Sequence, residues 1–363
     1  MRYAKFFIPL ALSIILLGCD FFKDQGAIYH PFKLEISKHE FPLDLQLDNP
    51  WEEKGLGYIN VIRTDTMWHL WYESFGENSS SYGRFDYNSY FNYAYSSDGV
   101  KWIKPNLEYV EYGDFKETNI LISNNGVSNK GIHGMTVFLD LNSSMSEGSY
   151  KMVYTRWIDS LSSNWVYGMT SVNGLEWENE RIIKRHYSDT QTNAYNYNGY
   201  YKLFYRYWNG EKHGEGYRQI GVSAAQKFDE SLGQDFRKIS FENADVSEMH
   251  LYNNATRVIE DEYEFMFPSI FDPYKDQMQL KIGYRKLENE SIESYTFYKF
   301  EQELFEDLPN FRVLYVAPQA IRISENKYLI YYSYKEEGHH SWQNECISFP
   351  GKIGRFHLEV ITK

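Results

Sequence analysis

The sequence predicts an all-β fold, a five-bladed β-propeller of four-stranded antiparallel blades, on three observations. Aromatic residues make up 18% of the 363-residue chain, with 33 Tyr, 24 Phe and 9 Trp, and such side chains favour pleated surfaces. Short alternating segments are separated by tight-turn residues, among them Asp98-Gly99 and Asn173-Gly174, dipeptides that strongly favour hairpins. The order of turns and strands then recurs. With Asn60, Thr136, Ala194, Ala255 and Ala320 as equivalent positions, the spacings are 76, 58, 61 and 65 residues, and five such units close one wheel. Separate sandwiches would supply the strands but not this recurrence. No segment carries a sustained helical period.

Arg2 and Lys5 precede an apolar run from Phe6 to Leu17, too short to span a bilayer and of the length of a signal-peptide core. Its end, Leu16-Leu17-Gly18-Cys19, resembles the lipobox of bacterial lipoproteins, in which the cysteine is diacylated and becomes the mature N-terminus. The alternative is an ordinary signal peptide with a chance cysteine. On the lipoprotein reading, residues 1–18 are removed, Cys19 carries lipid, residues 19–27 are a tether, and residues 28–363 form a single propeller domain. The expected location is the cell envelope, at the bacterial outer membrane or cell surface. Cys346 is the one other cysteine, so no intrachain disulfide is expected after lipidation.

Phe32–Lys38 alternates apolar and polar residues and reads as one strand without a hairpin partner. Blade one then takes Tyr58–Ile62, Trp68–Tyr72, Phe91–Ser96 and Val100–Ile103. Blade two takes Met135–Leu139, Tyr150–Tyr154, Trp165–Ser171 and Leu175–Glu178. Blade three begins after Ser188, with Tyr200–Trp208, Gln219–Ser223 and Phe236–Phe241. Blade four begins after Glu248, with Tyr263–Phe267, Leu280–Arg285 and Tyr295–Phe300. Blade five has Ala320–Ile323, Tyr328–Tyr332 and Ile353–Val360 and lacks a fourth strand. The orphan N-terminal strand is expected to complete it, which closes the ring without a long exposed edge.

In a propeller the innermost strands line one channel, so residues just before them converge although they are distant in sequence. Those entrances hold Trp51-Glu52-Glu53, Gly131-Ile132-His133, Asp189-Thr190-Gln191, Glu248-Met249-His250 with Tyr252-Asn253, and Pro318-Gln319. Cleavage of a glycosidic bond uses two carboxyl groups, one protonated as acid and one ionised as base or nucleophile. Asp189 and Glu248 are the expected pair, with Glu53 as the blade-one candidate. Glu52, His133, Gln191, His250, Tyr252 and Asn253 are expected to bind substrate. Trp157 and Trp208 offer flat faces to sugar rings. Arg156, Arg206 and Arg218 can hold a substrate carboxylate or orient a catalytic one, or pair with acids elsewhere in the protein. His133, His250 and His339-His340 lack metal-ligand spacing, so no metal and no cofactor is expected. A formal net charge of −13 excludes a phosphate-binding nucleic-acid surface.

Asn92-Tyr-Ala-Tyr-Ser-Ser-Asp-Gly-Val-Lys-Trp-Ile-Lys-Pro105, Gly168-Met-Thr-Ser-Val-Asn-Gly-Leu-Glu-Trp177, Asp189–Asn193, and Glu248–Ala255 with Phe267-Pro268 resemble segments of the five-bladed propeller glycosidase superfamily. That superfamily includes the invertase-like and arabinanase-like glycoside hydrolases of families 32 and 43. The resemblance covers nearly all of the mature chain and implies an Asp nucleophile or base, a second positioning Asp and a Glu acid from different blades. The Trp-Met-Asn-Asp-Pro and Arg-Asp-Pro motifs are missing; Asn49-Pro50-Trp51-Glu52 stands near the place of the first. The implied carry-over is therefore restricted to Asp189, Glu248 and Glu52 or Glu53.

The expected function is a lipid-anchored, monomeric glycoside hydrolase acting on an extracellular oligo- or polysaccharide. The alternative is a surface glycan-binding lipoprotein without chemistry. A separation of roughly 5 to 10 Å between opposed carboxyl groups favours the first, and carboxylates tied up in ion pairs favour the second.

Overall fold

A computed structural model describes residues 29–77, 87–123, 132–141, 143, 148–158, 163–212, 214–260, 262–287, 293–300, 311–338 and 351–363. Signal peptide, tether, Cys19, Cys346 and His339-His340 fall outside them.

β1 (Phe32–Glu40) opens the described chain. Blade one comprises β2 (Leu56–Arg63), β3 (Trp68–Glu77), β4 (Tyr87–Ser96) and β5 (Ile120–Ser123), and blade two β6 (His133–Leu139), β7 (Tyr150–Ile158), β8 (Ser163–Ser171) and β9 (Glu178–Lys184). Blade three holds β10 (Asn193–Tyr197), β11 (Tyr200–Trp208), β12 (Arg218–Ala225) and β13 (Arg237–Lys238). β14 (Ser240–Phe241) joins blade four, with β15 (His250–Ile259), β16 (Tyr263–Asp272), β17 (Gln277–Leu280), β18 (Gly283–Lys286) and β19 (Ser294–Phe297). β20 (Val313–Ser324), β21 (Lys327–Lys335) and β22 (Lys352–Thr362) form blade five, and β1 runs antiparallel to β22 as its outer strand. The chain is thus an all-β, five-bladed propeller.

The blades pack through wedges of apolar side chains rather than one central core. Val61 and Leu70 of blade one meet Leu329 and Tyr331 of blade five. Trp71 and Tyr93 meet Met135 and Met152 of blade two. Val153 and Val166 meet Leu203 and Tyr205 of blade three, and Phe204 and Ile220 meet Met266 and Phe297 of blade four. Phe32 and Phe356 close the circle against Phe265 and Tyr284. A strand covered on both faces has no need to alternate, which is why β2 is buried from Leu56 to Ile62.

Four strand boundaries differ from the sequence reading. The fourth strands of blades one and two are Ile120–Ser123 and Glu178–Lys184, not Val100–Ile103 and Leu175–Glu178. After Ser96 and Ser171 the chain bends under side-chain control. Asp98 Oδ1 accepts from the Val100 and Lys101 amides, Asn173 Oδ1 from those of Leu175 and Glu176, and each serine hydroxyl accepts from the following glycine amide. Each bend docks on a neighbouring blade: Tyr331 donates to the Gly99 carbonyl (2.9 Å) and Trp71 to the Gly174 carbonyl (2.7 Å). Both glycines hold positive φ, +71° and +76°, which side chains disfavour.

The expected strand Phe236–Phe241 divides, Arg237–Lys238 staying with β12 while Ser240–Phe241 pairs in parallel with β19. Leu280–Arg285 also divides, because β17 and β18 pair with different halves of β16.

Phe32 is fully buried in the closing wedge. Replacing it with alanine leaves a cavity and is expected to cost about 3–5 kcal/mol, read as a lower urea midpoint with unchanged slope.

Candidate active site at the mouth of the hub

The hub interior is neutral rather than acidic. Asn60 Nδ2 donates to the Met135 carbonyl (3.2 Å) while its Oδ1 accepts from the Val137 amide (3.1 Å). Gln319 Oε1 accepts from the Val61 amide (3.2 Å), and its Nε2 donates to the Val137 carbonyl. Asn193 donates to the Thr256 carbonyl (2.9 Å), and Asn253 donates to Gln191 (3.3 Å). These side chains satisfy backbone groups of neighbouring blades that no strand ladder reaches.

Above this layer, at the end where the inner strands begin, every blade contributes. Tyr58 of blade one lies 4.9 Å, centroid to centroid, from Tyr315 of blade five and 5.6 Å from the His133 ring of blade two. Its hydroxyl bonds Thr190 of blade three at 2.8 Å. Tyr252 of blade four stacks on Tyr315 at 5.9 Å.

Asp189 precedes β10 and keeps 28% of its side chain exposed. Oδ1 accepts from Arg206 Nη1 at 2.5 Å and Oδ2 from the Tyr187 hydroxyl at 3.1 Å. Burial works to raise its pKa, but the charge and hydrogen bond of Arg206 outweigh that, with help from Arg218 and His133, and hold it below the usual carboxylate value. Arg206 itself is 2% exposed, donates to the Tyr252 carbonyl, and lies over the Tyr252 ring at 4.3 Å.

His133 joins Asp189 to a second carboxylate. Its Nδ1 is 2.7 Å from Glu73 Oε1 and its Nε2 is 3.2 Å from the Asp189 carbonyl. Both partners are acceptors, so the ring makes both bonds only as an imidazolium. Burial pulls its pKa down, but Glu73, through charge and hydrogen bond, overrides this and raises it. Glu73 is fully buried; 36% of the His133 side chain remains open.

The opposite wall is cationic and aromatic. Arg218 stacks over Trp208 at 4.7 Å and Tyr252 at 5.2 Å. His250 Nδ1 accepts from the Arg218 amide at 3.2 Å, so its proton sits on Nε2. Burial first, then Arg218 and Arg206, push its pKa down to about 4.

Glu248 is exposed in the turn before β15 and forms no ion pair among the described residues. Glu53 is exposed and sits 3.7 Å from Lys54. Glu52 is buried, bonded by the Tyr72 hydroxyl, the Asn49 amide and Lys104 at 2.8 Å. Gln191 and Asn253 belong to the amide layer beneath the mouth. Trp157 lies on β7 opposite Asn164, its side chain outside the described set, and Arg156 pairs with Glu180 at 3.0 Å.

Glu73, Tyr58 and Tyr315 were not anticipated. Glu73 had one signal, a lone charged residue inside the run Trp71-Tyr-Glu-Ser-Phe75. Among the described residues no group of three or more His, Cys, Asp or Glu is placed to hold a metal.

Because the folded-state pKa of His133 is raised above 6.5, its contribution to stability is complete below pH 6.5 and fades as pH rises through the raised value. Urea unfolding across pH 6 to 9 should show this decline in the wild type. His133→Gln should remove that part of the slope.

No protein-family model matches the sequence, and no curated protein matches it. Solved structures do match in fold. A β-xylosidase aligns with TM-score 0.55 and 10% identity over 86% of this chain and 93% of its own. An α-L-arabinofuranosidase from Podospora anserina gives 0.54 and 9% over 92% and 98%. A β-1,2-mannobiose phosphorylase from Listeria innocua gives 0.56 and 11% over 90% and 96%. What these structures share with this chain is the fold, a five-bladed β-propeller.

Proposed function

We propose that this protein is a propeller-type glycoside hydrolase that cleaves an oligo- or polysaccharide at the mouth of its hub. The observation that carries this reading is Asp189, a partly open carboxylate held ionised by Arg206 where all five blades meet. The fold shared with a β-xylosidase and an α-L-arabinofuranosidase supports it.

In this reading a sugar ring lies against the wall of Tyr252 and Trp208. Asp189 takes the proton of the attacking water, or attacks the anomeric carbon to form a glycosyl ester that a second water, giving up its proton to the now neutral His133, then cleaves. His133, kept protonated by Glu73, gives its Nε2 proton to the departing oxygen and recovers one from solvent. Arg206 and Tyr187 fix the carboxylate, and Glu248 is the competing candidate for the acid.

A second reading, glycan binding without cleavage, draws support from the close Asp189–Arg206 pair, which occupies one carboxylate oxygen. Turnover separates the two. Release of reducing ends from a glycan panel, cut about 100-fold or more in Asp189→Asn, supports the hydrolase; retained binding with no product in wild type supports the binder. If Glu248→Gln removes activity and His133→Gln spares it, the acid role passes to Glu248.

We also propose that Cys19 is lipidated, which holds the protein at the cell envelope as a monomer with carbohydrate as its partner. Cys19→Ala should then appear in the soluble fraction or retain its uncleaved leader, and radiolabelled palmitate should be lost with it.

A further inference from the structure

A second opening lies away from the mouth. At the opposite end, where the inner strands finish, a cavity of about 460 Å³ is lined by Arg63, Thr64, Asp65, Arg257, Gln319 and Arg322, together with apolar side chains of blades one, two and five. Three arginines and one carboxylate line it, in a protein whose net charge is −13, and the Arg322 guanidinium also donates to the Ser324 and Glu325 carbonyls. Asp65 forms no ion pair among the described residues. Arg63 lies over Trp68 at 5.2 Å, and Arg322 is half exposed with Glu260 at 3.9 Å.

Arg257 is the unusual member. It projects from β15, lies over the Tyr195 ring at 5.5 Å, and makes no hydrogen bond or ion pair among the described residues. Burial pushes its pKa down to about 10, which still leaves it charged at neutral pH. A cation taken partly out of water without a counter-charge is costly. An incoming anion would remove that cost, and a guanidinium fork suits tetrahedral or planar oxyanions.

We propose that this far-end cavity is an anion site in which Arg257, flanked by Arg63 and Arg322, holds a phosphate group. The site does not depend on the activity assigned to the mouth. Its volume admits a phosphate ester with a small polar remainder. Topology favours a lipid headgroup as the source. Phe32, the first residue of β1, pairs with Thr362, the last of β22, so the N-terminal segment leaves the disc at this same end. The stretch from Cys19 to Phe32 extends at most about 45 Å, which keeps this face near any membrane to which Cys19 is anchored. Leu141, Val172 and Tyr200, exposed by 87%, 59% and 49%, follow strand ends or a hairpin on this side. Apolar and aromatic residues beside arginines suit an anionic lipid surface.

The test uses the purified full chain in two arms. Calorimetry with inorganic phosphate and glycerol 3-phosphate reads the site directly. Flotation with phosphatidylcholine vesicles, with and without phosphatidylglycerol, reads the headgroup; any contribution of an anchor is common to both vesicle types and all variants. Arg257→Gln should weaken binding in the responding arm by about tenfold or more. Arg322→Gln, at an exposed position where folding is not at risk, should weaken it less. Binding of soluble phosphate without a phosphatidylglycerol preference assigns the site to a free phosphate ester, and the reverse assigns it to a headgroup. No binding in either arm, or Arg257→Gln binding as well as wild type, overturns the proposal.

Discussion

A propeller must hold together five sheets that diverge from their common axis; here apolar wedges fill the gaps between them and side-chain amides tie their inner edges at the hub. Adjacent inner strands share no ladder, so their inward-facing amides and carbonyls need partners from elsewhere. Asn60 both donates to blade two and accepts from it, and Gln319 ties blade five to blades one and two. A carboxamide suits this task because it offers donor and acceptor in one neutral group. A carboxylate could only accept, and its charge would meet a high desolvation cost. The ionic residues are displaced to the two ends of the channel.

That separation explains the chemistry at the mouth. Asp189 is reachable because it precedes its strand instead of lying within it, and it stays ionised because Arg206 is buried behind it. His133 is oriented from below by Glu73 and from the side by the Asp189 carbonyl. Arg206 and Arg218 share the Tyr252 ring, and burial, helped by their charge, keeps His250 neutral. The mouth therefore sets three cations, Arg206, Arg218 and His133, around one open carboxylate and one buried one.

The blade count and the inner-strand positions were legible because turn residues and alternating runs recur in fixed order. Asp189, Tyr252 and His133 were legible as polar residues placed where inner strands start, and Arg206 as a basic residue near the end of a second strand. Glu73 was hidden because it projects from the middle of a second strand, a position that sequence spacing assigns to packing. Glu52 misled for the opposite reason: it sits at a blade entrance, yet Tyr72 and Lys104 engage it. The fourth strands were displaced because Asp98-Gly99 and Asn173-Gly174 turn the chain toward a neighbouring blade before it returns to its own sheet. Fold-level pattern marks the turn; only packing shows what the turn is for.

The bend at Gly99 has a temporal side. Its carbonyl is received by Tyr331, made more than two hundred residues later, and β1 likewise waits for β22. During translation blade one therefore carries an unclaimed latch, and β1 an unpaired edge, until nearly the whole polypeptide has emerged. Completion of the last blade fastens both at once.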